Sequence, residues 1–218
     1  MMNKIPPLVS TYLKEVKTKF GLNIELKPKL ESKFLRFVTP FIKLFNPNYD
    51  RYITTLGNTI YFPNDKWFTE RTSESSLEVI AHETKHCLDY NKNKIGYVLG
   101  YGFPQLLTIP VVLTLLLTIG WWGLLGFLLV LPFPSWWRMK HEVDAYVVSF
   151  IVYPILAPKS NTDTFFENWI VEKLTKRWYY WAWPFPKQVV SMIQKQKLQF
   201  NKDSFYLHLV DFCYRNSI

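Results

Sequence analysis

The spacing of apolar residues predicts two amphipathic helices near the beginning of the chain. Residues 8–20 carry apolar side chains at helical spacing and are followed by Gly21, which predicts a first helix that ends there. Residues 31–45 predict a second helix, kinked at Pro40, with basic residues outside one apolar stripe. A basic helix with such a face suits either a membrane interface or packing against its own domain. The stripe consists of Phe34, Phe37, Val38, Phe41, Ile42 and Phe45.

The pattern between residues 23 and 76 predicts strands and the start of another helix. Two runs rich in β-branched and aromatic residues, 51–55 and 59–62, flank Gly57 and Asn58, which predicts a β-hairpin. A short strand is predicted earlier, at residues 23–26, and the serines of 73–76 can cap the helix that follows. Further helices are predicted at 139–156, 162–178, 186–198 and 203–214.

The middle of the chain is strongly apolar. Residues 95–137 contain no Asp, Glu, Lys or Arg, and an apolar run above about 18 residues is typical of a membrane-spanning segment. A single helix over 104–133 would be about 45 Å long, beyond a hydrocarbon core of about 30 Å. The glycines and tryptophans of 120–123 offer a turn, so we expect a helical hairpin that enters and leaves on one side. The alternative is a hairpin buried in a large assembly.

Composition and charge narrow the class of protein. The chain of 218 residues has a net charge of +9 and is 49% hydrophobic and 18% aromatic, which excludes intrinsic disorder. Cys87 and Cys213 are too few for a disulfide framework. The lysines are scattered and no nucleic-acid module is recognised, so nucleic acid is not an expected partner. Anionic lipid headgroups explain the basic charge beside an apolar hairpin more simply.

A zinc-binding pattern lies on the helix predicted after residue 73. His82, Glu83 and His86 form an HExxH motif that uses two of the four histidines in the chain. Side chains at i and i+4 share a helix face, so both imidazoles can bind one Zn²⁺. Glu83 can then take a proton from the reacting water as general base.

A catalytic zinc needs a third protein ligand, and the next candidates, His141 and Glu142, follow the apolar segment. The sequence here resembles the gluzincin metallopeptidases, in which a Glu on a later helix completes a His-His-Glu site. The resemblance implies that His82, His86 and Glu142 bind one zinc ion per chain. His141 is a weaker ligand candidate because it points about 100° away from Glu142 on a helix.

Two kinds of gluzincin are similar to this chain. One is the membrane-embedded prenyl-protease type, whose E-x-[DE]-A-D pattern matches Glu142, Asp144 and Ala145, with Tyr146 in place of the final Asp. The other comprises small zincin-like proteins of bacteriophages and bacteria with a strand hairpin, HExxH and a later E-x-[DE]-A-Y. The resemblance covers roughly residues 50–182.

A zinc ion shared by His86 and Glu142 would require both ends of the apolar segment to lie on one side of the membrane. Basic residues at both ends place that side in the cytoplasm by the positive-inside rule. We therefore expect an α+β fold in which residues 1–94 and 138–218 form one zincin-like domain. An apolar helical membrane hairpin, 95–137, would interrupt this domain.

Several other residues are candidates for supporting roles. Asp89 and Asp144 are candidate carboxylates for orienting a zinc ligand, and Cys87 is expected to be a small buried residue. A strand over 59–62 can pair with an extended substrate. The candidate donors to an oxyanion are Tyr146 and its rivals Tyr179, Tyr180 and His208.

The sequence thus predicts a membrane-anchored zinc metallopeptidase with a polypeptide substrate and a lipid bilayer as partner. No signal peptide is recognised, and the zinc domain is expected on the cytoplasmic side. The alternative function is a catalytically idle, zinc-stabilised structural component of a phage particle or membrane complex. Its partners would be virion proteins or other proteins of that complex.

Overall fold

A computed structural model describes residues 5–45, 47–103, 105–124, 134–158, 163–176 and 182–217. The chain is mostly helical, with one small three-stranded sheet. The strands are β1 (Glu25–Pro28), β2 (Thr54–Leu56) and β3 (Thr59–Phe62). The helices are α1 (Pro7–Phe20), α2 (Lys33–Phe45), α3 (Ser73–Lys92), α4 (Lys94–Gly102), α5 (Thr108–Ile119), α6 (Trp136–Tyr146), α7 (Ser149–Leu156), α8 (Asp163–Thr175), α9 (Pro186–Lys197) and α10 (Ser204–Arg215).

Local sequence signals set the ends of the first and third helices. Gly21 ends α1 with φ of 65°, a left-handed conformation that favours glycine. The side chain of Thr72 accepts a hydrogen bond from the Ser75 amide and so caps α3, one residue before the predicted serines. The cap fixes the start of the helix that carries the HExxH motif.

The predicted β-hairpin is confirmed, because β2 and β3 pair antiparallel around Gly57, whose φ is 62°. The strand predicted at 23–26 is observed two residues later, as β1, and pairs parallel with β3. The strand order is β1-β3-β2, so β3 has a hydrogen-bonded neighbour on each side. The predicted pairing of a substrate with residues 59–62 is therefore wrong, since that strand has no free edge.

Helix α3 lies at the centre of the core. It packs against α1, α6 and α7 through side chains that include Leu77, Ile80 and Ala81, all fully buried. The single helix predicted over 139–156 is two helices, α6 and α7, separated by a turn at Val147 and Val148. Both valines are fully buried. The break lets α6 pack on α4 and α9 while α7 packs on α10.

The aromatic stripe of α2 contributes two exposed rings. Phe34 and Phe37 are 59% and 71% exposed, whereas Leu35, outside the predicted stripe, is buried. At these two positions the stripe is therefore mostly exposed. Pro40 lies inside the helix, as predicted.

The predicted fold class is wrong, because the chain is mainly helical and the described part of its apolar middle contains no long helix. Over residues 95–124 the chain forms α4 and α5, the latter of 12 residues, or about 18 Å. Within the described ranges, no helix is both long and apolar enough to cross a bilayer. Helix α5 ends before Gly120, whose φ is 61°, so the helix breaks where the turn was predicted. Residues 125–133 of the second predicted arm lie outside the described residues.

The two ends of the apolar segment nevertheless meet. The Arg138 guanidinium donates a hydrogen bond of 3.1 Å from Nε to the carbonyl of Tyr101. The rings of Phe103 and Trp137 lie 5.4 Å apart. Helix α4 thus packs on α6, and the chain returns to its starting point before Glu142.

Candidate metal centre

Helix α3 presents two imidazoles to one point. His82 and His86 are 5% and 4% exposed, and their Nε2 atoms lie 3.2 Å apart. Their common face follows from the four-residue spacing on a helix. The predicted helical HExxH motif is therefore observed as a pair of buried, converging nitrogen atoms.

Helix α6 brings a carboxylate to the same point. Glu142 is fully buried; its Oε2 lies 3.6 Å from His82 Nε2, and its Oε1 lies 3.6 Å from His86 Nε2. Ligand atoms about 2.0 Å from a tetrahedral zinc are about 3.3 Å from one another. The observed spacings fit that geometry, and these three residues form a group able to hold a metal ion.

The electrostatics of the cluster favour a cation. Burial by itself would raise the pKa of Glu142, but the imidazoles of His86 and His82 hold it well below its usual range. The carboxylate is thus ionised, which is the state that binds a metal. Two imidazole nitrogens and a carboxylate converge away from water, where each needs a polar or charged partner. One divalent cation bound between them would supply that partner to all three.

Tyr146, the residue that departs from the membrane-embedded pattern, packs directly on a zinc-ligand candidate. Its ring centroid lies 4.3 Å from that of His82 in an edge-to-face arrangement. The Nδ1 atoms of His82 and His86 are buried and have no hydrogen-bond partner within the described ranges. Among the described residues, the ring of His82 is therefore held by its contact with the ring of Tyr146 and not by a hydrogen bond at Nδ1.

Two tyrosines that the sequence analysis missed cover the other side of the cluster. Tyr101 donates a hydrogen bond from its hydroxyl to Glu142 Oε1. Tyr97 stacks on Tyr101, with centroids 5.6 Å apart, and its ring also lies 4.8 Å from that of His141. Both belong to α4, inside the segment predicted as a membrane hairpin. Their spacing of four residues directly after the HExxH helix is the signal that could have identified them.

Replacing Tyr101 with Phe is expected to weaken zinc binding by about 10- to 100-fold, the range for a residue that orients a metal ligand. The change removes the hydroxyl that fixes Glu142 and leaves the ring contacts intact. A competition titration against a zinc chelator measures the dissociation constant. Tyr90→Phe, a tyrosine of α3 outside the cluster, is the matched control. Equal affinities for wild type and Tyr101→Phe would contradict a positioning role for Tyr101.

The candidate general base is also held in place. Glu83 Oε2 accepts a hydrogen bond of 2.6 Å from Thr55 Oγ1. Thr55 lies in β2, an edge strand of the sheet described here. The contact of Thr55 could not be predicted from the sequence, because nothing in the strand pattern shows that its hydroxyl faces α3.

A cavity of about 330 Å³ adjoins the cluster on the side of Glu83. Its walls come from the chain at 51–53 and from α3, α6, α7 and α8. His82, Glu83 and Tyr146 line it, so the metal cluster and the candidate base are accessible from the same space. A volume of this size is typical of a site that binds a small molecule, and it can also hold one side chain of a larger ligand.

The predicted supporting carboxylates contact other groups. Asp89 binds Lys85 Nζ at 2.6 Å and faces His141 Nδ1 at 3.3 Å. Burial would raise the pKa of Asp89, but these two partners lower it to about 2. Asp144 Oδ1 is buried with no hydrogen-bond partner among the described residues, while its carbonyl accepts from Tyr206. The structure thus brings neither carboxylate to an imidazole of the cluster by a hydrogen bond.

The remaining candidates lie elsewhere. His208 packs against Tyr12 and Phe20, between α10 and α1, so it is not a donor at the metal cluster. Cys87 is fully buried, as predicted. Tyr179 and Tyr180 fall outside the described residues. Of the candidate donors in the described ranges, Tyr146 is the one that lines the cavity.

No protein-family profile, curated protein or solved structure matches this chain. The functional conclusion therefore depends on the residues of the cluster and the cavity beside it.

Proposed function

We propose that this protein is a zinc-dependent metallopeptidase in which His82, His86 and Glu142 hold one Zn²⁺. The observation that carries the proposal is the convergence of ligand atoms from three buried residues, with separations of 3.2 and 3.6 Å, beside Glu83. The cavity at Glu83 leaves room for a substrate on that side. A closed structural site would not need a carboxylate base facing a cavity.

Each residue has a chemical role in this proposal. A bound zinc ion lowers the pKa of a water molecule and polarises a substrate carbonyl. Glu83, oriented by Thr55, accepts the proton of the attacking water and returns it to the leaving amine. Tyr146 lies beside His82 on the cavity wall, where its hydroxyl can donate to the oxyanion that develops on the carbonyl.

The edge strand next to the base suits an extended peptide. Strand β2 is hydrogen-bonded to β3 on one side, and Thr55 in this strand contacts Glu83. A peptide that adds to the outer edge of β2 would bring its backbone past the cluster, because strand addition aligns main-chain groups. This replaces the strand at 59–62 as the proposed substrate-binding strand.

Removal of metal tests the proposed activity. Dialysis against a chelator is expected to abolish cleavage of an unfolded, carboxymethylated test protein, and one equivalent of Zn²⁺ per chain is expected to restore it. Peptide release measured by mass spectrometry is the readout. Mg²⁺ serves as the control, since it prefers oxygen ligands to imidazole. Cleavage that persists after chelation, or that zinc does not restore, would reject the proposal.

The burial of the cluster favours one alternative, a zinc ion that only stabilises the fold. All three ligand candidates are at most 5% exposed, and Tyr101 covers Glu142. In that case the protein would be a structural component, and Glu83 would be dispensable. The two functions differ in their response to substitution of Glu83.

A further inference from the structure

The cavity beside the metal cluster contains cationic side chains that form no close ion pair among the described residues. Arg51, Arg71 and Lys173 line it, and among the described residues none of the three has a carboxylate oxygen within 4.0 Å of a side-chain nitrogen. Arg51 and Arg71 are exposed at the cavity, and Lys173 is partly buried. Three cations that line one cavity suggest an anionic ligand.

Lys173, on α8, lies near an aromatic ring that packs on the cluster. Its Nζ lies 4.4 Å from the ring centroid of Trp169 and 5.9 Å from that of Tyr146. Partial burial lowers the pKa of this ammonium group. Tyr146 also packs on His82, so Lys173 is one side chain away from the candidate zinc ligand.

Arg71 faces the cavity from the segment before α3. Its guanidinium lies 4.7 Å from the ring centroid of Trp67 and donates a hydrogen bond of 3.2 Å to Ser75 Oγ. Stacking on an aromatic ring fixes the plane of the guanidinium and leaves N–H donors for a ligand. These contacts hold the Arg71 guanidinium in one orientation. Its paired N–H groups can bind both oxygens of a carboxylate.

The two acidic residues of the cavity wall are engaged by hydroxyl groups. Glu78 Oε1 accepts a hydrogen bond of 2.5 Å from the buried Ser149 Oγ, and Glu83 Oε2 accepts from Thr55. Burial raises the pKa of Glu78, which disfavours its charged form. The cationic side chains thus outnumber the acidic ones, and the cavity favours an anion.

We propose that this cavity is a subsite for a carboxylate of the substrate peptide next to the bond that is cut, with Lys173 and Arg71 as its binding groups. The inference rests on the proposed function and specifies its substrate class. The carboxylate belongs either to an Asp or Glu side chain or to the free C-terminus of the peptide.

Binding without turnover tests this subsite. The probes are three peptides of Ala, Ser and Gly that carry the same uncharged BODIPY label at the N-terminus and are identical except at two places. One has a central Glu and an amidated C-terminus, one a central Gln and an amidated C-terminus, and one a central Gln and a free C-terminus. Their dissociation constants are measured by fluorescence anisotropy on the zinc-supplemented Glu83→Gln protein.

At least one of the two peptides that carry a carboxylate is expected to bind about tenfold more tightly than the uncharged peptide. The peptide that gains affinity identifies the side chain or the C-terminus as the source of the carboxylate. Adding Lys173→Gln or Arg71→Gln should remove most of this preference, and Lys173→Arg should retain it. Lys195→Gln, an exposed lysine of α9, is the control for the loss of one charge. Thermal unfolding checks that each variant is folded.

Equal affinities for the three peptides, absence of binding, or a preference that survives both substitutions would overturn the subsite. Because the assay needs no cleavage, its outcome is separate from that of the proposed function. A zinc-dependent peptidase with no preference for carboxylates would reject the subsite alone. Failure of zinc to restore cleavage, with the carboxylate preference retained, would reject the peptidase activity and leave a carboxylate-binding cavity without a cleavage role.

Discussion

Replacing Glu83 with Gln is expected to reduce zinc-dependent peptide cleavage by at least about 10²-fold, the usual contribution of a general base. The amide keeps the size of the side chain and can still interact with Thr55, but it cannot accept the proton of the reacting water. Glu83 lies on the cavity side of the cluster and does not belong to the group of His82, His86 and Glu142 that is able to hold a metal. Zinc content should therefore stay at one ion per chain.

The measurement combines initial rates on a quenched fluorescent peptide with metal analysis of the same samples. Glu74→Gln, in the first turn of α3 and outside the cavity lining, is the matched control and should keep its rate. Thr55→Val should give a smaller loss than Glu83→Gln, because it frees the carboxylate without removing it. A Glu83→Gln protein that remains fully active would contradict the assigned base. If no variant, wild type included, cleaves any unfolded substrate while zinc remains bound, the structural alternative is favoured.

Replacing Glu142 with Gln is expected to abolish stoichiometric zinc binding. The carboxylate is fully buried, lies 3.6 Å from each imidazole Nε2 and accepts a hydrogen bond from Tyr101. An amide of nearly the same volume preserves the packing but removes the negative charge that a metal ligand supplies. The loss of affinity should exceed the effect of Tyr101→Phe, since Glu142 would bind the metal directly.

Metal content after gel filtration and thermal unfolding with and without zinc provide two independent readouts. Zinc at about 100 times its dissociation constant stabilises the wild type by about 2.7 kcal/mol, and Glu142→Gln should lose this gain. Asp89→Asn is the matched control, because Asp89 pairs with Lys85 and His141, and it should keep its zinc. Stoichiometric zinc in Glu142→Gln, or in a double His82→Ala/His86→Ala variant, would overturn the assigned ligand set.

Most helices could be predicted from the sequence because their signals are local. Gly21 ends α1 where the apolar periodicity ends, and Gly57 marks the hairpin between β2 and β3. The position of the HExxH motif on a helix likewise follows from its flanking residues. These features depend on a few neighbouring residues, and the folded chain has them at the predicted positions.

The apolar middle was predicted wrongly because hydropathy averages over breaks in the helix. The chain leaves α4 after Gly102 and forms the short α5 before Gly120. Mean hydropathy also contains no information about the direction of a side chain. Tyr97 and Tyr101 lie in an uncharged segment, yet their rings face His86. Hydropathy gives no information about which face of a helix meets a buried cluster.

The spacing of His82 and His86 was enough to establish a pair of converging imidazoles, since the geometry of one helical turn is the same in any fold. The rest of the site comes from separate parts of the chain. Glu142 reaches the pair only because α6 packs on α3 and α4, and Lys173 reaches the cavity only because α8 packs on α6 and α7. Contacts between distant segments depend on how whole helices pack, and no local pattern encodes that packing.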